Sequence, residues 1–237
     1  MIEKIIIDKV GSCYQKESVV LRKGSKKEIE FPALIAIIKH KKYGNILYDT
    51  GYSDMFFDET KKYPAKIYRK LTKVIIDTTI EDVLEKYNLK MEDINYVFVS
   101  HFHPDHIGNL HKFVNARIFC SKEEYTMLIN ERSNLKKLKH GFFEKMIPDN
   151  ISESMISFEE LLSIDIENHT KKGRKLFEDN NLIAIPLYAH RKGQHGLLVN
   201  YNNKKYFFVS DSIWVIDNIH ETKLSFGLKL VFENFKL

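Results

Sequence analysis

Between Ser100 and Leu110 the chain reads SHFHPDHIGNL, which places His101, His103, Asp105 and His106 within six positions, directly after the apolar run Tyr96 to Val99. Three imidazoles and a carboxylate crowded into a loop that leaves a strand cannot all face one way on a regular element. A turn has to gather them, and a divalent cation is the economical thing for them to surround.

The spacing has a physical reading. Side chains two apart on an extended segment share a face, so His101 and His103 can address one ion together. After Pro104 the backbone turns, and the neighbours Asp105 and His106 suit a second ion beside the first. Imidazole and carboxylate without thiolate fit zinc best, and manganese or iron also. A lone histidine in a loop is ordinarily a residue satisfying local hydrogen bonds; four ligand-type residues after a buried strand outweigh that reading.

At 237 residues with 43% apolar content, the chain can fill one substantial core. No Pro/Gly/Ser-rich linker, repeat or membrane-length apolar stretch divides it, so a single domain spanning 1–237 is expected. Asp8 and Lys9 interrupt the first apolar run, which argues against a secretory signal and makes a cytoplasmic location the default expectation. Cys13 and Cys120 are the only cysteines and give no disulfide framework. The net charge of +5 comes from lysines dispersed among Asp and Glu, a solvated surface rather than a nucleic-acid footprint. The local exception is Lys136, Lys137, Lys139 and His140, which fits either an exposed helix face or the flank of an anionic small-molecule substrate.

Strand-like runs at Ile5 to Ile7, Ser18 to Arg22, Ile29 to His40 and Ile46 to Asp49 predict an opening meander that ends in Asp49-Thr50-Gly51, a carboxylate and a glycine turn at a strand's C-terminal end. The aromatics Phe56, Phe57 and Tyr63 read as packing residues. A helix is expected from Ile80 to Tyr87, capped by Thr78 and Glu81, then a strand over Ile94 to Val99, another over Ala116 to Cys120, and a helix through Leu128 capped by Ser121 and Glu124. Residues 130–175 read as a weakly patterned entrance region with helical pieces at Phe142 to Met146 and Phe158 to Leu162. Strands return at Leu182 to Leu187, Gly196 to Asn200 and Tyr206 to Ser210, with Asn202-Asn203 as a hairpin turn. Two sheets packed together with helices outside would bury these runs.

Taken together, His101-x-His103-x-Asp105-His106, Asp49-Thr50-Gly51 upstream and Ser210-Asp211 after a late strand resemble the metallo-β-lactamase-fold hydrolase superfamily over nearly the whole chain. The resemblance implies an α/β (α+β) fold, a four-layer αββα sandwich of two mixed β-sheets flanked by helices. It implies that His101 and His103 bind a first zinc, that Asp105 and His106 bind a second, that Asp211 bridges both, and that Asp49 orients a ligand imidazole. The segment PLYAHRKGQHGLLV is similar to a family stretch whose histidine supplies the third imidazole of the first site. Gap-free alignment puts Gln194 there, with His190 and His195 as the alternatives. The family's last ligand histidine lies well beyond the bridging aspartate, whereas only His220 follows Asp211 here. The chain is therefore expected to stop before that ligand, as a C-terminally truncated product, a natural short form or a protein with an incomplete second site.

The activity implied is hydrolysis of an ester, lactone or thioester carbonyl by hydroxide on zinc, because the metal lowers the pKa of its water from 15.7 to about 7. Asp105 is the candidate catalytic acid for the leaving group. HFHPDHIGNL and the SKEEY helix look most like the lactonase branch, although Trp214 stands where those lactonases place a tyrosine, and an indole N–H donates without exchanging protons as a phenol does. The alternatives are a phosphodiesterase or nuclease of the same fold, and a metal-binding protein with an impaired site.

Overall fold

The computed structural model describes residues 1–21, 23–166, 171–187 and 190–214. The strands in chain order are β1 (Ile2–Lys16), β2 (Glu28–His40), β3 (Gly44–Tyr48), β4 (Lys73–Ile75), β5 (Ile94–Phe98), β6 (Arg117–Cys120), β7 (Met155–Ser157), β8 (Ser163–Ile164), β9 (Gly173–Lys175), β10 (Leu182–Pro186), β11 (His195–Tyr201) and β12 (Lys204–Phe208). The helices are α1 (Glu17–Val20), α2 (Met55–Glu59), α3 (Ala65–Leu71), α4 (Ile80–Lys86), α5 (Pro104–Ile107), α6 (Lys122–Ile129), α7 (Asn134–Lys139) and α8 (Ile151–Ser154). Two compact units result. One comprises Met1–Cys13 and Pro32–Leu161, the other Tyr14–Phe31 and the residues from Leu162 onward.

The first unit is built on the seven-stranded sheet β4-β1-β2-β3-β5-β6-β7. β2 and β3 pair antiparallel, while β3, β5, β6 and β7 run parallel to one another. Parallel strands are covered on both faces, which is why β5 carries the continuous run Val97, Phe98 and then Val99, each at most 1% exposed. Val97 joins the core with Leu47, Val83 and Ile118; Phe98 stacks instead on Tyr48 (5.2 Å between ring centroids) and packs on Phe158 (4.8 Å). The register Tyr48↔Phe98 brings the C-terminal ends of β3 and β5 side by side. The loops that follow, Asp49-Thr50-Gly51 and Ser100 to Asn109, therefore emerge at one edge of the sheet, the place where α/β sheets carry their sites.

In the second unit β12-β11-β10-β9-β8 form a five-stranded sheet that is antiparallel throughout. Pro186 pairs with His195 and Leu197 with Phe208. The β10–β11 loop and the turn after β12 thus leave from the same end of β11. Asn202 and Asn203, both at positive φ (52° and 57°), close the β11–β12 hairpin as expected of a two-residue turn. Val20, Leu21, Ile29, Phe31 and Trp214 form a small separate cluster in this unit.

Several local expectations need correction. The helix cap is one residue later than predicted: Thr79, not Thr78, accepts from the Asp82 amide, and Asp82 returns a bond to the Thr79 amide. Both pairings satisfy the sequence pattern, and the choice falls to the register that buries Ile80, Val83 and Leu84 together. Residues 18–20 lie in the single turn α1 rather than a strand, closed by the Leu21 amide on Glu17 O. The helical pieces expected at 142–146 and 158–162 are single 3-10 turns, Glu144–Met146 and Phe158–Glu160. His220 lies outside the described residues.

Candidate metal centre

The loop after β3 and the loop after β5 are joined by buried hydrogen bonds. The Asp49 amide donates to Phe98 O (2.8 Å), and the Thr50 amide and hydroxyl both donate to His106 O (2.8 and 2.9 Å). The Asn109 side-chain amide donates to Thr50 O and Tyr52 O (2.8 Å each), and the Ser53 hydroxyl to Gly108 O (2.6 Å). Asn109 was not singled out by sequence reasoning, yet it ties the two loops together. Gly51 has φ +70, and a β-carbon there would lie 2.3 Å from Val10 Cβ, so only glycine completes this turn.

Asp49 is the hub of the first unit's cluster. It is 1% exposed and sits at φ 55°, a left-handed conformation that Asp tolerates better than most residues. Its carboxylate accepts from the Ser100 amide (2.8 Å), the Ser100 hydroxyl (2.9 Å) and His106 Nδ1 (2.7 Å). Burial pushes its pKa up, opposed by His106 and by the hydrogen bonds from Ser100. The Ser100 hydroxyl also lies 3.2 Å from His101 Nδ1. With Nδ1 of His101 and of His106 held on this side, Nε2 is the nitrogen each ring presents to its neighbours. His101 Nε2 is 2.9 Å from His103 Nδ1, and His106 Nε2 is 3.4 Å from Asp105 Oδ2. Ser100, the residue just before the motif, is thus a neighbour of both rings.

His101, His103, Asp105 and His106 are therefore brought together with their donor atoms converging. This nitrogen and carboxylate donor set, with outer nitrogens fixed by a carboxylate and a hydroxyl, fits a divalent cation.

In the second unit it is His190, of the three candidates, that meets Asp211: Nε2 and Oδ2 are 3.4 Å apart, and His190 is 0% exposed. Gln194 serves the turn instead. With its amide oxygen toward the turn it accepts from the amides of Asp211 (3.3 Å) and Ser212 (3.2 Å), the orientation that satisfies both ends of its own amide. His195 Nδ1 bonds Gly193 O at 2.8 Å, at the start of β11. Trp214 packs edge-on to Phe31 (5.9 Å) and to His190 (6.1 Å). Ser210, at φ 49°, makes the tight turn that precedes Asp211.

Residues 57–237 match the family described as anti-Pycsar protein Apyc1. The chain belongs to that family. Among solved structures, the Apyc1-family chain is similar to an N-acyl homoserine lactone hydrolase holding the product N-hexanoyl-L-homoserine at its catalytic metal center. Identity there is 16%, over 98% of this chain and 85% of the other, with a TM-score of 0.68. It is similar also to AidC, a dizinc quorum-quenching lactonase (20% identity, 98% and 82% covered, TM-score 0.61), and to the hydrolase AbOPH of the β-lactamase superfamily (13%, 88% and 70%, 0.59). The Apyc1-family chain has the metallo-β-lactamase fold expected from its sequence. No helix among the described residues is long and apolar enough to cross a membrane.

Proposed function

We propose that the chain is a metal-dependent hydrolase that works with two divalent ions, zinc foremost, and cleaves an ester, lactone or thioester bond of a small molecule. The observation that carries this reading is the fixed orientation of the first unit's imidazoles by Asp49 and Ser100. In the proposal His101 and His103 would hold one ion and Asp105 and His106 the other, with Asp211 the further ligand that the sequence resemblance implies. His190 takes the place of third imidazole, supported by its approach to Asp211. The dizinc lactonase among the fold's relatives supports the ion count. When bound, a divalent pair supplies activated water at neutral pH and positive charge for a developing oxyanion.

The protein's own groups do the rest. Asp49 and Ser100 keep the imidazole Nε2 atoms aimed at the cluster. The Asp105 side chain, 25% exposed, is placed to carry a proton to the leaving group. A covalent route through serine or cysteine is disfavoured, because the Ser100 hydroxyl donates to Asp49 and Cys120 is fully buried with its thiol pKa pushed up.

A second reading, phosphodiester hydrolysis, is favoured by Arg191. This guanidinium directly follows His190 and is only 4% exposed, and its planar fork matches a phosphate. Trp214, where the lactonases place a phenol, is a second residue in which the chain differs from them. Metal-loaded protein assayed on a homoserine lactone, a thioester, bis(p-nitrophenyl) phosphate and a cyclic phosphodiester separates the two. Turnover that a chelator abolishes identifies the bond cleaved; protein with two bound ions and no turnover of any of them would sink the hydrolase reading.

A further inference from the structure

His103 turns Nδ1 toward His101, so Nε2 is the far nitrogen of its ring. A metal-binding imidazole is fixed by what its other N–H meets. Asp49 plays that part for His106 and Ser100 for His101; for His103 the part falls to whatever its far edge meets.

The far edge of the His103 ring meets Gly141, two residues beyond α7 and at φ +62. A β-carbon on residue 141 would stand 3.0 Å from His103 Cδ2, 3.4 Å from His103 Nε2 and 3.2 Å from the Tyr68 hydroxyl oxygen. The imidazole edge and the phenol oxygen therefore both border the space in front of the Gly141 α-carbon. Tyr68 is firmly mounted on α3: its ring lies edge-on to Phe143 (5.8 Å) and beside Phe56 (6.1 Å), and Phe56 and Phe143 are themselves buried. The turn bearing Gly141 is held by Gly141 N on Leu138 O and Phe142 N on Lys137 O.

We propose that Tyr68 is the positioning residue of His103, its hydroxyl accepting from the imidazole Nε2–H so that Nδ1 is left bare for the ion, and that residue 141 is glycine to let the two meet. This rests on the reading of His103 as a metal ligand. It assigns a role to a residue some thirty positions upstream of the motif, in a segment that sequence patterning marks only as packing.

The test is Tyr68→Phe, which removes one oxygen and keeps both ring contacts, with Tyr63→Phe, 65% exposed in the same segment, as control. Both are loaded with cobalt(II) and then titrated with zinc against a chromophoric chelator. Tyr68→Phe is expected to keep its urea midpoint, to bind one ion about 10- to 100-fold more weakly and to show altered cobalt absorption, with Tyr63→Phe unchanged. Equal affinity and an identical cobalt spectrum in Tyr68→Phe would overturn the proposal. Nitrogen NMR of the unsubstituted protein gives an independent check: the Nε2-protonated tautomer of His103 supports it, and the Nδ1-protonated tautomer overturns it. If the unsubstituted protein binds no metal at all, the hydrolase reading fails first.

Discussion

Replacing Asp49 with asparagine changes one atom in the centre of the cluster and almost nothing in its shape. Asparagine tolerates the left-handed conformation that residue 49 adopts, so the backbone cost is small. The amide oxygen can still accept from the Ser100 amide, now 2.8 Å from Oδ1. The amide nitrogen, in the place of Oδ2, faces the Ser100 hydroxyl at 2.9 Å and His106 Nδ1 at 2.7 Å, and it can only donate. The hydroxyl adapts by rotation. His106 must instead present a bare Nδ1, which moves its proton to Nε2, the nitrogen that addresses Asp105. Losing one charge-assisted bond costs about 1.5 to 3 kcal/mol, partly offset because a carboxylate is no longer buried, so the folded state is expected to weaken by about 1 to 2 kcal/mol in urea. The metal effect is larger in kind: loss of such a partner lowers affinity about 10- to 100-fold, read by zinc competition against a chromophoric chelator at neutral pH. Asp49→Ala should be worse on both counts, since it adds left-handed strain and strands the buried Ser100 amide. Asp49→Asn that binds both ions as tightly as the unsubstituted protein would refute the claim that Asp49 sets the His106 tautomer.

Three further outcomes follow from the same structure. Gln194→His is expected to bind zinc no more tightly than the unsubstituted chain, and Gln194→Ala to lose about 1 to 2 kcal/mol of stability, because residue 194 supports the Asp211–Ser212 amides; tighter zinc binding by Gln194→His would make it a ligand position after all. Iodoacetamide should spare Cys120, which is 0% exposed, in the folded protein and modify it only in denaturant, with Cys13 the faster of the two, as counted by mass spectrometry. Burial tends to raise the Asp8 pKa, but the Lys86 ammonium (2.7 Å), the Lys9 amide (2.9 Å) and the Tyr87 hydroxyl (2.9 Å) hold it below the usual carboxylate value. Its contribution, about 1 kcal/mol for a pair near the surface, is present above the unfolded-state pKa of about 3.9 and is lost as the pH falls through the lower folded value. Asp8→Asn should accordingly flatten stability across that acid window, and an unchanged pH profile would remove Asp8 from the account.

What could be read from sequence divides by locality. The histidine and aspartate motif is contiguous, so its spacing alone brought His101, His103, Asp105 and His106 into view, and the apolar runs located β3, β5 and β10 to within two residues. Asp49-Thr50-Gly51 was visible as a carboxylate at a strand end. The bonds that make it matter, to Ser100 and His106 some fifty residues later, depend on the Tyr48↔Phe98 register, which no local pattern encodes. The third imidazole stayed open among Gln194, His190 and His195 for a related reason. A gap-free alignment counts letters, whereas the fold decides which side chain reaches the Asp211 carboxylate, and that side chain is His190. β1 runs from Ile2 to Lys16, well beyond Ile5 to Ile7, and carries Gly11 at φ +74 within it. Tyr68 and Asn109 carried no signal at all, since each acts only through partners distant in sequence.

The most direct test of the central claim is metal content, measured by inductively coupled plasma mass spectrometry on purified chain that has been stripped with chelator, reloaded with zinc and dialysed. Two tightly held ions per chain, falling by one or more in His101→Ala and His106→Ala, is the result predicted. Fewer than one ion per chain in the unsubstituted protein, with no hydrolysis restored by zinc or manganese, would contradict it.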